Sequence, residues 1–309
     1  MPFSPTRRGA VVALATLLVV ALVGACGDDG ATAQPADGAA LSVVATTSVL
    51  GDFAHEIGGD RVHVVTILKP NVDAHDYEPA PSDIEAIRKA AVVVRNGAGL
   101  EHWFDDTIEA SGTKATLVDT STGVALRDEH GDEPDPHIWH DPRNAMRMVT
   151  TIADAFSAAD PDGAATYAAN LERYNGELAA LDAEIEGETS TLTNRKLVTN
   201  HDAFGYYADR YGFDIVGSVI PSFDTSAELS ASDLDHLVKA IRAEGVKAVF
   251  SETSLPGDAA RTIAEEAGVR VVVGEDALYG DSLGPAGSDG ATYLAMMRHN
   301  TQTIVSSLR

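Results

Sequence analysis

Three histidines, His75, His137 and His201, recur at near-even intervals. Each follows a stretch that reads as a β-strand, and each falls in a loop or at a helix start. A carboxylate, Asp281 or Asp276, follows the last strand-like stretch in the same way. Neutral imidazoles with one carboxylate form a nitrogen-rich donor set that suits a divalent ion such as zinc. Each ligating imidazole also needs an acceptor for its second ring nitrogen. Asp73, Asp76, Glu78, Asp135, Asp141 and Asp202 lie close enough in sequence to serve. The chain has ten histidines, and for an isolated one packing or surface exposure is the plain reading. His55 and His102 fall on predicted helices, and His63, His236 and His299 are given no specific role. What sets the three apart is their shared topological position.

The elements that must position them alternate along the chain. Short β-branched runs at 41–45, 62–68, 91–95 and 115–118 read as strands, with helices at 51–57, 81–90 and 101–110 between them. A second series has strands at 196–199, 214–219, 247–251 and 269–273, with helices at 203–211, 231–244, 256–267 and 289–308. This alternation predicts parallel sheets covered on both faces. Between the series, residues 142–193 show no strand signal. One helix is expected at 142–158, then a second from Pro161 to about 191, with Asp160 as its cap. The second places Tyr167, Leu171, Tyr174, Leu178, Leu181 and Ile185 at steps of three and four, an amphipathic helix long enough to act as a strut between two lobes. In open α/β sheets ligands bind beyond the carboxyl ends of the strands. The four donors would then come two from each lobe and meet in the interlobe cleft.

The N-terminus reads as an export signal. Arg7 and Arg8 precede an apolar run at 10–23, too short to span a bilayer comfortably. Leu22-Val23-Gly24-Ala25-Cys26 resembles a lipobox, with cleavage before Cys26 and acylation of its thiol. Residues 26–40, rich in Gly, Ala, Asp and Pro, read as a flexible tether. The expected organisation is a signal peptide at 1–25, the tether at 26–40, a first lobe at 41–160, a linking helix at 161–192 and a second lobe at 193–309. Cys26 is the single cysteine, so no disulfide can form within the chain and any metal must be held by N and O donors. The net charge of −25 deepens to −27 when a signal carrying Arg7, Arg8 and no acid is removed. So acidic a surface argues against nucleic acid and anionic headgroups as partners.

Longer motifs surround the candidates. They are Asp73-Ala74-His75-Asp76-Tyr77-Glu78-Pro79-Ala80-Pro81-Ser82-Asp83, Asp135-Pro136-His137-Ile138-Trp139-His140-Asp141-Pro142, Asn200-His201-Asp202-Ala203-Phe204-Gly205-Tyr206-Tyr207-Ala208 and Tyr279-Gly280-Asp281-Ser282-Leu283-Gly284. In this order they resemble the zinc/manganese-binding, adhesin-like lipoprotein family of ABC-importer solute receptors, across essentially the whole mature chain. The resemblance implies two α/β lobes joined by one long helix, with His75, His137, His201 and Asp281 as ligands. It prefers Asp281 to Asp276 and His137 to His140. His140 stands where the family commonly has an apolar residue; a surface role is expected, with a spare ligand as the alternative. Glu252, which follows a second-lobe strand, reads as a cleft residue or one supporting a ligand, with direct ligation as the alternative, and Glu78 as a further accessory candidate. Zinc receptors of the family often carry a long His-rich acidic loop. Here residues 127–134 are short and hold only His130, which could collect metal weakly or simply be solvated.

Three His and one Asp favour Zn2+, with Mn2+ as the alternative, since manganese prefers more oxygen donors. The expected role is capture of the ion and delivery to an ABC permease by a monomer lipid-anchored at the outer face of the cytoplasmic membrane. The strut should limit closure of the lobes, leaving release to local loops. A metallohydrolase needs an open coordination position and a base. Four protein ligands would close the site, and no His-Glu-x-x-His occurs. No sequence feature supports surface adhesion.

Overall fold

A computed structural model describes residues 40–127, 134–227 and 230–309. Cys26 and the rest of 1–39, and His130 within 128–133, lie outside the described residues. The first series comprises β1 (Leu41–Ala45), α1 (Ser48–Gly58), β2 (Val62–Thr66), α2 (Pro81–Lys89), β3 (Val92–Arg95), α3 (Phe104–Ser111) and β4 (Thr116–Asp119). Two helices follow, α4 (Pro142–Ala159) and α5 (Ala164–Ser190). The second series is β5 (Lys196–His201), α6 (Gly205–Tyr211), β6 (Asp214–Ile220), α7 (Ala231–Glu244), β7 (Ala248–Phe250), α8 (Asp258–Ala267) and β8 (Arg270–Val272), closed by α9 (Tyr293–Leu308).

The first lobe holds a four-stranded parallel sheet in the order β2-β1-β3-β4. Its central strands, β1 and β3, are largely buried on both faces because helices cover both. Val43 and Ala45 face the main core, whereas Val44 joins Ile67, Ile87, Val93 and Phe104 under the opposite layer. In the second lobe β5 pairs with β6 and β7 with β8, again in parallel. β5 packs beside β7, so the spatial order β6-β5-β7-β8 repeats that of the first lobe. Leu197, Ala248 and Phe250 face the main core, and Val198, Val249 and Ile241 the other side.

The strut is α5, 27 residues and about 40 Å long. Tyr167, Tyr174, Leu178, Leu181 and Ile185 are buried along one stripe and Leu171 is half-buried. The helix is packed along its length by α1, α4 and α9. A short 3-10 turn, Pro161–Gly163, precedes it. The Asp160 side chain does not cap this turn, contrary to expectation. It accepts from Arg61 and from the Tyr167 hydroxyl (2.7 Å), pinning the strut to the first lobe.

α9 also crosses the expected lobe boundary. Tyr293 N–H donates to Asp52 of α1, its ring meets Phe53 edge-on at 4.9 Å, and its hydroxyl donates to Trp139 O. One apolar core therefore runs from Leu41 to Leu308 through both lobes. Among the described residues, no helix is long and apolar enough to cross a membrane.

Candidate metal centre

His75 lies in the loop between β2 and α2. Its N–H donates to Asp73 Oδ1 (2.9 Å), an Asx-type turn that fixes the backbone at the histidine. His137 precedes a 3-10 turn, Ile138–His140, that leads into α4. Asp135 Oδ1 accepts from both its N–H (3.0 Å) and its Nδ1 (2.8 Å). His201 is the last residue of β5, paired with Ile220, rather than a loop residue as the sequence suggested. The polar Thr199-Asn200-His201 end reads as a strand terminus, yet the ladder to β6 continues through it. Glu252 Oε1 accepts from His201 N–H (3.1 Å) and Nδ1 (2.9 Å). In both pairs the carboxylate accepts the hydrogen on Nδ1 and so directs Nε2, once deprotonated, toward the shared point.

Asp281 follows a bridge between Glu252 and Leu278 that extends the β7–β8 edge. Asn300 of α9 holds Tyr279 through both main-chain groups, 2.9 and 2.8 Å. Trp139 Nε1–H donates to Gly280 O (3.2 Å). Beyond Asp281, Asn71 N–H donates to Ser282 Oγ (3.0 Å), and Leu283 N–H to Ser48 Oγ (2.9 Å). This second-lobe loop is thus clamped onto the first lobe. Gly280 permits its close approach: a Cβ there would lie 1.9 Å from Glu252 Oε2.

The four side chains converge. His137 Nε2 is 3.3 Å from His75 Nε2 and 3.2 Å from His201 Nε2. Asp281 Oδ1 is 3.4 Å from both His137 and His201 Nε2, and Oδ2 is 3.8 Å from His75 Nε2. All four residues are buried, and neither oxygen of Asp281 has a hydrogen-bond partner. Three buried Nε2 atoms and a carboxylate whose oxygens lack a hydrogen-bond partner face one point, and the buried carboxylate is costly without positive charge beside it, from a metal ion or from protons on the imidazoles.

The charge pattern agrees. Burial lowers the His75 pKa to about 3, with His137 and His201 adding to the effect. Burial also opposes charge on His137, but Asp135 and Asp281 outweigh it and raise its pKa to about 9. His201 rises well above its ordinary value against the same burial, through Glu252 and Asp281. Burial would push the Asp281 carboxyl up, yet His201, His137 and His75 hold it well below the usual range.

Other sequence candidates lie elsewhere. Asp276 is exposed in a 3-10 turn, five residues before the clamped aspartate. Glu78 is exposed and is not among the converging groups. His140 is not on the surface. It is fully buried, its ring stacks on Phe204 at 4.5 Å, and neither nitrogen makes a hydrogen bond. Burial lowers its pKa to about 3, so it packs as a neutral aromatic. His102 sits exposed in the turn before α3, off the helix expected there. Gly280, Asn300 and Trp139, which shape the site, carry no donor pattern. Only the adjacency of Gly280 to Asp281 could have pointed to one of them.

Comparison with known proteins places this geometry. A sequence profile described as zinc-uptake complex component A, periplasmic (ZnuA), matches residues 43–307. The manganese-binding lipoprotein MntA of Halalkalibacterium halodurans is 36% identical over 94% of this chain and 96% of its own length. The iron-binding protein YfeA of Yersinia pestis is 30% identical over 97% and 96%. Among solved structures, the periplasmic zinc-binding protein TroA from Treponema pallidum superposes with a TM-score of 0.81 at 28% identity, covering 88% of this chain and 99% of TroA. The chain belongs to the ZnuA family of metal-binding solute receptors of ABC importers and is not an enzyme.

Proposed function

We propose that this receptor captures Zn2+ at His75, His137, His201 and Asp281 and delivers it to its permease. The observation that carries the reading is the convergence of three Nε2 atoms and one carboxylate at separations of 3.2 to 3.8 Å. A tetrahedral ion with bonds of about 2.0–2.1 Å requires ligand–ligand distances of about 3.3 Å. Four of these five contacts are 3.2–3.4 Å and the fifth is 3.8 Å, and three imidazoles give the nitrogen-rich character that zinc favours. Asp135 and Glu252 complete the set by orienting His137 and His201.

Manganese is the second reading. Both Asp281 oxygens are free of hydrogen bonds, so the carboxylate could chelate through both and raise the coordination number. The relative MntA is named manganese-binding. Competition of Zn2+ against Mn2+, with metal analysis of the purified protein, separates the two. The zinc reading expects one ion per chain and displacement of Mn2+ by equimolar Zn2+. Retention of Mn2+ against that zinc would overturn it.

On this reading the site belongs between lobes at 41–160 and 193–309, joined by the linking helix at 161–192, with α9 reaching back onto the first lobe. Residues 1–25 are proposed as the export signal. Lipid on Cys26, with 26–40 as a tether, would hold a monomeric receptor at the outer face of the cytoplasmic membrane, within reach of the permease. Relatives named as lipoproteins support that anchoring.

A further inference from the structure

Asp135 is wholly buried and uses one oxygen, Oδ1, to hold His137. Its other oxygen, Oδ2, faces Arg127 Nη1 at 3.4 Å. The guanidinium is mostly buried, and its Nε pairs with Asp209 Oδ2 at 2.9 Å on the solvent side of α6. Its Cζ lies 5.6 Å from the centroid of the Tyr206 ring, also on α6. The main chain repeats the connection. Arg127 N–H donates to the Tyr206 hydroxyl (3.1 Å), which donates to Asp135 O (2.9 Å), and Asp135 N–H donates to Arg127 O (2.8 Å). α6 starts four residues after His201, so one side chain touches the support of a first-lobe histidine and the helix that follows a second-lobe histidine.

The helix is built to admit it. A Cβ on Gly205 would lie 1.4 Å from Arg127 Nη1 and 2.8 Å from Asp135 Oδ2. The helical glycine needs no unusual φ; it leaves the space through which the guanidinium reaches the buried acid. A buried carboxylate that must stay an acceptor for an imidazole requires a counter-charge, and a planar guanidinium can face two carboxylates at once where an ammonium offers a point charge.

We propose that Arg127 is a positioning residue for metal capture: it holds Asp135, and through it the His137 imidazole, in the ligating arrangement and couples that arrangement to α6 of the opposite lobe. The proposal rests on His137 being a ligand. It assigns a role to the Arg127–Asp135–Gly205 cluster that none of the four converging side chains reveals.

The test compares Arg127→Met, Arg127→Lys, Gly205→Ala and His137→Ala in the full chain. Zinc affinity is read by competition with a chromophoric chelator, the visible spectrum with Co2+ reports ligand geometry, and thermal unfolding of the metal-free protein monitors the fold. Arg127→Met is expected to weaken zinc binding by about ten- to a hundredfold, the range found when a group supporting a metal ligand is lost. Gly205→Ala should reproduce the loss with the arginine still present, and Arg127→Lys should recover part of it. The Co2+ spectrum should change in the two weakened variants. If Arg127→Met fails to fold, Gly205→Ala and Arg127→Lys carry the comparison. Zinc affinity within twofold of wild type and an unchanged Co2+ spectrum in Arg127→Met and Gly205→Ala, with binding lost in His137→Ala, would reduce Arg127 to a structural tie and overturn the proposal. Wild-type binding by His137→Ala would instead refute the ligand assignment, and the proposal with it.

Discussion

At the scale of single residues, His137 and His201 each carry a carboxylate on Nδ1, whereas His75 carries a turn on its backbone. This divides the three imidazoles electrostatically. His137, at about 9, and His201, well above its ordinary value, hold protons at pH 7 in the metal-free site, and His75, at about 3, does not. Zinc binds the deprotonated forms, so capture at pH 7 should release protons. Calorimetry in buffers of different ionisation enthalpy measures this, and affinity should keep rising from pH 6 toward pH 9. The fold responds with the opposite sign. Because the folded pKa of His137 lies above its unfolded value of 6.5, its contribution to metal-free stability is fully present below pH 6.5 and is lost as pH rises through about 9. Release of no protons at pH 7 would contradict this charge pattern.

The three histidines that converge were legible in the sequence, because imidazoles after strand ends stand out from a polar background, and Asp281 through its motif. Their surroundings were not. Nothing local distinguishes an exposed His140 from one stacked on Phe204, since the partner is 64 residues away. Asp276 and Asp281 share one loop, and the clamp from Asn300, Asn71 and Ser48 that selects Asp281 comes from three distant segments.

At the scale of elements, β-branched runs located every described strand, most plainly the central ones, because a strand buried on both faces must be apolar throughout. The ends were less legible. α3 begins at Phe104 rather than at Glu101. Glu101 is buried, and its carboxylate accepts from the Thr46 hydroxyl and the Asn96 and Gly97 N–H groups. α9 begins at Tyr293, where the Thr292 hydroxyl caps the helix by accepting from Ala295 N–H. The periodicity of α5 showed its buried stripe but not the three helices that cover it. Leu178 has 0% exposure at the centre of that stripe. Leu178→Ala should destabilise the protein by about 2–5 kcal/mol, measurable by denaturant unfolding, with zinc affinity of the folded fraction unchanged. A loss below about 0.5 kcal/mol, the level of an ordinary surface substitution, would mean that α5 is a solvent-spanning rod rather than part of the core.

At the scale of the whole molecule, the lobes are joined by more than one helix. α9 returns to α1, the Asp281 loop hooks onto Ser48 and Asn71, and Thr225 donates to Asp73 (2.6 Å) across the cleft. A shared, close-packed core resists wide hinge motion. Metal-free and zinc-loaded protein should therefore give small-angle scattering profiles with no resolvable compaction, leaving release to local loop movement. A marked fall in radius of gyration on loading would show a hinge that this packing does not provide.

The most direct measurement of the site itself is X-ray absorption at the zinc edge of protein loaded with one equivalent of metal. Three imidazoles and one carboxylate at about 2.0–2.1 Å are predicted, with the imidazole signal reduced in His137→Ala and in His201→Ala. A spectrum dominated by oxygen ligands and unchanged in both variants would contradict the assignment of His75, His137, His201 and Asp281 as the metal centre.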